Sequence, residues 1–318
     1  MRITHGSVAA SGGATRSALT IGNFDGVHLG HQAMLARLKE AARRLGLPAT
    51  VITFEPHPRE FFTPAEAPAR LTPMHIKLEL LEAAGVDHAH VARFNAQFAS
   101  LSAERFVEEV LVHGLGCAWL LVGRDFRYGA KRAGDFAALE AAAARHGFVL
   151  EAMPEIMHDG ERISSSAVRA ALAVGDMERA ASFLGRPFAL GGHVAHGDKL
   201  GRTLGFATAN IPLEPGRVPL RGIFVVEALG VGAGAQGSRP WPGVASLGVR
   251  PTVKADGGTL LEVHLFDFSD ELYGRRLEVN FLAKLREEEK YDGLDALRAA
   301  IARDVARAKD YFATRRHG

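Results

Sequence analysis

The stretch that most restricts the fold is Ile21-Gly-Asn-Phe-Asp-Gly-Val-His28-Leu-Gly-His31, taken with its flanks. Before it runs an apolar segment, Ala18 to Ile21, of the kind that forms a buried strand. After it, Leu35, Leu38, Ala42 and Leu45 recur at helical spacing and predict a helix over residues 32–45. A strand that passes through a glycine-bearing loop into a helix is the opening unit of an α/β domain. Gly22, Gly26 and Gly30 permit a tight loop that lies close to a ligand. His28 and His31, three apart at the helix start, share one face. The first helical turn adds unpaired N–H groups and the positive end of the dipole. Donors, dipole and paired imidazoles together predict a phosphate site.

The alternation continues down the first half. Ala49 to Phe54, His88 to Phe94, Cys117 to Val122 and Phe148 to Met153 read as strands. Helices are predicted from Thr72-Pro73 to Gly85, from Ser102 to near Gly114, and from Asp135 to His146. Ile76, Leu80, Leu81 and Ala84 give the first of these its apolar face. Such an order implies a parallel sheet with helices on both faces and ligands at the carboxyl ends of the strands. Three loops leave those ends. The histidine loop is one. The second is Glu55 to Phe62, stiffened by Pro56 and Pro58, with Phe61 and Phe62 as flat apolar surface and His57 read as structural. The third is Gly123-Arg-Asp-Phe-Arg-Tyr-Gly129. Farther on, Ile163-Ser-Ser-Ser-Ala-Val-Arg169 places three N-cap serines before a helix over residues 168–173. Arg169 there offers a planar fork of donors to an anion.

The string FDGxHxGH resembles the signature of the HxGH nucleotidylyltransferases. Its GNFDGVH start is most similar to that of the bacterial bifunctional riboflavin kinase/FMN adenylyltransferases, the FAD synthetases. The resemblance implies that His28 and His31 hold the ATP phosphates, with Gly22, Asn23, Phe24, Asp25 and Gly30 lining the nucleotide site. SSSxVR resembles that family's second signature, which brings Ser164, Ser165, Ser166 and Arg169 to the triphosphate. The third loop resembles its GxDFxFG loop, with Asp125 near the nucleotide and Tyr128 where Phe is usual. Phe62 is expected to help form the flavin pocket.

Past a short helix, Asp176 to Leu184, and the break at Gly185-Arg-Pro187, the texture changes. Strands are predicted at Phe188 to Val194, Gly222 to Leu229, Gly243 to Leu247, Leu260 to Phe266 and Arg276 to Leu285, with no helices between them. That pattern predicts an antiparallel barrel. Leu294, Leu297, Ile301, Val305, Ala308 and Phe312 predict a terminal helix packed on it. Gly232 to Gly237 matches GxGxxG by letter but has no helix after it, so it reads as a hairpin loop. In the stretch 197–210, Gly197, Gly201 and Gly205 permit a phosphate-hugging backbone, Lys199 and Arg202 add charge, and Thr208 and Asn210 are hard oxygen ligands suited to Mg²⁺. The stretch resembles the riboflavin kinase GxxxGFPTAN motif, with Ala207 where the family has Pro, which predicts a looser loop. Glu262-Val-His264, with Asp267-Phe and Leu272-Tyr-Gly274, resembles the kinase E-x-H…DF…LYG run, in which the Glu is the general base. Leu247 to Thr252 resembles its GxRPT turn, and Leu285 to Tyr291, with Arg286, its flavin-side LRxExKF segment.

The expectation is therefore an α/β, Rossmann-like nucleotidylyltransferase domain over residues 1–183 and a riboflavin kinase barrel with a terminal helix over 184–318. It would phosphorylate riboflavin to FMN and adenylylate FMN to FAD, with ATP as co-substrate and Mg²⁺. An adenylyl- or cytidylyltransferase for another acceptor, and an inactive flavin-binding protein, are the rivals. Composition is compatible. A formal net charge of +2 gives no reason to expect a nucleic-acid or membrane partner. A single cysteine, Cys117 in an apolar run, excludes an internal disulfide and reads as a structural thiol. Residues 1–17 lack the apolar core of a signal peptide, and no apolar stretch approaches the ~20 residues of a membrane span. A cytoplasmic enzyme acting on small molecules, monomeric or weakly self-associating, is expected.

Overall fold

The structure is a computed structural model, and it describes residues 1–6, 15–196, 205–213, 218–232, 239–249 and 259–315. Two compact units form: Met1–Pro68 with Thr72–Ser165, and Ala69–Leu71 with Ser166–Gly318.

In the first unit the elements are β1 (Arg2–Gly6), β2 (Ser17–Ile21), α1 (Leu29–Leu45), β3 (Ala49–Glu55), α2 (Pro58–Phe62), α3 (Met74–Ala83), β4 (His88–Arg93), α4 (Ala96–Ala99), α5 (Ala103–Arg105), β5 (Cys117–Gly123), α6 (Phe136–His146), β6 (Val149–Met153), β7 (Met157–His158) and β8 (Glu161–Arg162). Six strands form a parallel sheet in the order β1-β4-β3-β2-β5-β6. β2 lies centrally and all five of its residues are buried, as a strand covered on both faces must be. Alternate side chains feed two cores. Leu19, Ile52, Leu120 and Val122 join one; Ala18, Val51, Trp119 and Leu121 join the other.

β1 is absent from the sequence reading, because five residues of mixed character carry no periodic signal. It is held at the sheet edge through Thr4, whose Oγ1 lies 2.8 Å from His88 Nε2 and 2.9 Å from His90 Nδ1. α3 starts two residues after Thr72, whose hydroxyl is used elsewhere, as described below. After Ser102, which caps α5, the helix widens to π-type over Phe106–Gly114. Burial pushes the Cys117 thiol up to about 12, which suits a structural residue.

The second unit takes in α7 (Ser165–Val174), whose first residue belongs to the first unit, then α8 (Met177–Leu184), β9 (Phe188–His193), β10 (Ala209–Pro212), β11 (Gly222–Leu229), β12 (Trp241–Val249), β13 (Thr259–Leu265), β14 (Arg276–Arg286) and α9 (Leu294–Arg315). The strands form an antiparallel sheet in the order β10-β13-β12-β11-β14-β9. Just past β9, Ala195 N–H donates to Asn210 O at 2.8 Å, so the sheet curls until its outer strands meet. The result is a nearly closed barrel. β10 is absent from the sequence reading, since it begins inside the 197–210 motif stretch and is only four residues long. Val305, Ala308 and Phe312 of α9 pack against Ile223, Val225, Val244 and Phe266. Leu294 is 56% exposed, so the apolar face begins a turn later than its spacing predicts. Gly232 follows β11 on the way to antiparallel β12, as a hairpin requires; residues 233–238 lie outside the described set. No helix among the described residues is long and apolar enough to cross a membrane.

Candidate active sites

The first site grows from the β2–α1 loop. Gly26 takes φ +86, but Phe24 and Val27 are also left-handed, at φ 48 and 41. A β-branched residue there costs on the order of 1–3 kcal/mol, and burial of both side chains holds the loop in this shape. Gly22 and Gly30 serve space rather than turning. A Cβ on Gly30 would meet the His28 ring at 3.2 Å. His28 is the N-cap of α1, and its Nδ1 accepts the His31 N–H at 3.3 Å. That bond commits the His28 Nδ1 lone pair and leaves Nε2–H as the donor. The His28 and His31 rings stack, 3.7 Å between centroids and 16° between planes. Burial, then the charges of His28 and Lys77, hold His31 well below the usual imidazole range. The His31 ring therefore acts as a neutral hydrogen-bonding group in the resting chain.

Two buried atoms here, Asn23 Oδ1 and His31 Nδ1, find no hydrogen-bond partner among the described residues. Unsatisfied buried polar atoms are costly and point to a missing ligand. Asp25 is 4% exposed; its Oδ1 accepts from Thr72 N–H at 3.1 Å and from Thr72 Oγ1 at 3.4 Å. Gly26 N–H donates to Thr72 Oγ1 at 3.1 Å. Ser165 Oγ donates to the Asp25 carbonyl at 2.9 Å, which ties the serine motif to the histidine loop. Asp125 pairs with Arg162 at 2.8 Å, and that bond holds its carboxyl below the usual range. Phe62 is 61% exposed, at the rim of a set of edge-packed rings with Phe61 and Phe94. His57 caps α2 and accepts from Arg59 N–H, a structural task. Arg169 belongs to the second unit, where its Nε donates to the Ala69 carbonyl at 2.6 Å.

The second site is a row across the barrel. Strand pairing sets Asn210 opposite Glu262, Glu262 opposite Ser246, Ser246 opposite Ile223, and Ile223 opposite Arg286. Directly opposed residues share a face. Glu262, Ser246, Ile223 and Arg286 line one cavity of about 270 Å³, with Thr208 and His264 also on its wall. Asp304, 4% exposed on α9, grips the Arg286 guanidinium through both carboxylate oxygens, at 3.0 Å to Nε and 2.7 Å to Nη2. Sequence reasoning missed Asp304, which sat in a helix read only for its apolar positions. Asn210 Oδ1 is buried and has no partner among the described residues. An orphaned amide oxygen beside a threonine is a donor set that fits Mg²⁺. Ala207, which stands where the motif expects Pro, has its carbonyl 2.9 Å from His264 Nδ1. Gly205 is left-handed at φ +88. Gly197, Lys199, Gly201 and Arg202 lie outside the described residues, as do Arg250 to Thr252 of the predicted turn.

A parallel α/β unit with an HxGH helix start, followed by an antiparallel barrel with a Glu/Asn/Arg row, is the arrangement of a two-domain nucleotide-dependent transferase. The FAD synthetase family model matches residues 12–167 and the riboflavin kinase family model residues 184–312. The bifunctional riboflavin kinase/FMN adenylyltransferase of Pseudomonas fluorescens is 51% identical over 94% of this chain and 94% of its own length. That of Escherichia coli strain K12 is 48% identical over 92% of each. A crystal structure described as a macrolide-efflux protein from Streptococcus pneumoniae is similar over 96% of this chain and 97% of its own, with a TM-score of 0.79 and 26% identity. The chain belongs to the bifunctional riboflavin kinase/FMN adenylyltransferase family.

Proposed function

We propose that this chain makes FMN from riboflavin and ATP, then FAD and pyrophosphate from FMN and ATP. FAD formation is assigned to residues 1–183 and FMN formation to 184–318. The observation that carries the reading is the Glu262–Ser246–Ile223–Arg286 row on one cavity wall, with Asn210 opposite Glu262 on the neighbouring strand, which a single-activity nucleotidylyltransferase has no use for. In the kinase step Glu262 accepts the proton of the riboflavin 5′-hydroxyl as that oxygen attacks the γ-phosphorus and ADP leaves. Thr208 and Asn210 would hold Mg²⁺, which neutralises charge on the transferring phosphoryl group. Arg286, fixed by Asp304, borders the flavin end of the cavity.

In the adenylyl step an oxygen of the FMN phosphate attacks the α-phosphorus and pyrophosphate leaves. No side-chain base is required, because the phosphate is already ionised. His28 and His31 donate hydrogen bonds to charge building on the triphosphate, and Arg169 contributes its guanidinium. Gly22, Asn23, Phe24, Asp25, Gly30, Asp125 and serines 164 to 166 line the nucleotide side, with Phe62 against the flavin. Gly197, Lys199, Gly201, Arg202 and Gly205 are assigned to the ATP phosphates of the kinase step. The enzyme works in the cytoplasm on small molecules, as a monomer or weak homo-oligomer. Incubation with riboflavin, ATP and Mg²⁺ followed by chromatography tests the reading. FMN then FAD is the expected sequence of products. FMN without FAD removes the first site from the account; riboflavin bound but unchanged makes the chain a flavin binder.

A further inference from the structure

In the barrel the ladder between β10 and β13 stops short, and a side chain takes over where it ends. Ala209 pairs with Val263 and Asn210 with Glu262. Continued by one residue, that register would set Thr208 against His264, but β10 begins only at Ala209. Instead His264 Nδ1 lies 2.9 Å from the Ala207 carbonyl; a carbonyl only accepts, so Nδ1 carries the proton and donates. Phe206 meets the same imidazole edge-on, 5.4 Å between centroids and 88° between planes, so the ring is braced as well as bonded. The next carbonyl, that of Thr208, accepts from Asn210 Nδ2 at 3.4 Å. This commits the amide nitrogen and leaves the buried Asn210 Oδ1, unpartnered among the described residues, to a ligand. Side chains thus tie down two successive carbonyls of the segment that leads into β10.

Alanine at position 207 leaves φ free where a proline would fix it, so this segment depends on such ties. Thr208 lies on the wall of the 270 Å³ cavity and also on that of a smaller one of about 80 Å³. An oxygen on a partition between two cavities is placed by whatever holds the partition. His264 stands two residues from Glu262 on one face of β13, and both line the larger cavity. It therefore links the strand of the base to the segment of the metal ligands. We propose that His264 is a positioning residue of the kinase site: its Nδ1–H bond to Ala207 keeps the Thr208 and Asn210 oxygens in place to bind Mg²⁺ beside Glu262. The proposal rests on the kinase reading. A bond that only seals the end of the β10–β13 ladder is the competing account.

Mg²⁺ with ADP is the probe. The full chain carrying Trp241→Phe leaves Trp119, buried in the first unit, as the only tryptophan. The difference between its fluorescence and that of the chain with both tryptophans reports the thermal transition at Trp241, in the barrel. At fixed ADP, Mg²⁺ should raise the midpoint of that transition. His264→Leu, made in both chains, keeps bulk and removes the donor. The Mg²⁺ concentration that gives half of the rise should then increase about 10–100-fold, as when a group that orients a metal ligand is lost. FMN formation should need more Mg²⁺ to the same extent and recover at high Mg²⁺, while FAD formation from FMN is unchanged. His264→Asn puts an amide N–H where Nδ1–H was and should restore most of the Mg²⁺ affinity. An unchanged Mg²⁺ requirement in His264→Leu would overturn the proposal, and an equal loss in both variants would do so by denying the bond its part. So would a lower midpoint with an unchanged Mg²⁺ requirement, or the absence of any cooperative Trp241 transition in both, since either assigns His264 to the fold. If the unsubstituted chain makes no FMN and its Trp241 transition ignores Mg²⁺ and ADP, the kinase reading itself falls, and the proposal with it.

Discussion

On the proposed function, the two units meet phosphate in different ways. The first concentrates its means in eleven consecutive residues, where a strained loop and a helix start present backbone N–H groups and two stacked imidazoles. The second spreads its means over five strands and a terminal helix, and relies on carboxylate, amide and guanidinium side chains. The chemistry accounts for the difference. A phosphate nucleophile arrives ionised and needs only stabilisation of the charge that leaves. A primary hydroxyl arrives protonated and needs an acceptor. On the proposed function, Glu262 is the base of the barrel, and the loop requires none.

The widest break between the two regions is expected at Glu262. Gln at this position keeps the shape and removes the base, and general-base loss typically costs ~10²–10⁴ in rate. Glu262→Gln should fail to make FMN from riboflavin yet turn supplied FMN into FAD at the wild-type rate. Two parallel chromatographic assays on one preparation decide it. A wild-type kinase rate removes Glu262 from the mechanism, and loss of both activities means that the regions are not separable by chemistry.

The converse substitution is His31→Ala. It removes a donor to the developing negative charge, so FAD formation should fall on the order of 10²-fold or more. FMN formation should hold. The neutral state of His31 sharpens the expectation, because what is lost is a hydrogen bond rather than a cation. An unchanged adenylyl-transfer rate would place the first phosphate site away from this loop.

The same contrast explains what the sequence made legible. A site held in consecutive residues is visible as a string, so the histidine loop could be read with its strand and helix. The cap made by His28 could not, because it depends on one ring rotamer. In the barrel, strand alternation made the face of Glu262 legible, and only the resemblance of its E-x-H run pointed to a role. The opposition of Glu262 to Asn210 and Ser246 was not legible, because register between strands is long-range information. Asp304 reaches Arg286 across 18 residues from a helix that shows only apolar spacing. Edge strand β1 pairs with β4 more than eighty residues away, so nothing local announces it.

That edge strand gives the smallest expected effect and the finest comparison of the two units. His90 is 3% exposed, and its ring is pushed down to about 4, chiefly by burial and then by the charge of His88. His88 is itself lowered by burial and by Arg2. The unfolded chain titrates near the ordinary ~6.5. Between about 6.5 and 4 the unfolded state takes up a proton that folded His90 refuses. Stability from this group is thus full above 6.5 and is lost as the pH falls through 4. Its size is on the order of 1–3 kcal/mol, or several degrees in the midpoint of a unit this large. His31 adds to the trend with the same sign. In the Trp241→Phe chain, the Trp119 midpoint should drop between pH 7 and pH 5, and His90→Gln should flatten part of that drop. Subtracting this signal from that of the unmodified chain isolates Trp241, whose Nε1 donates to Phe266 O within the barrel. The Trp241 transition should be indifferent to His90→Gln. Equal flattening in both signals would mean that the two units unfold together, and an unflattened Trp119 signal would free His90 and Thr4 of any part in holding β1.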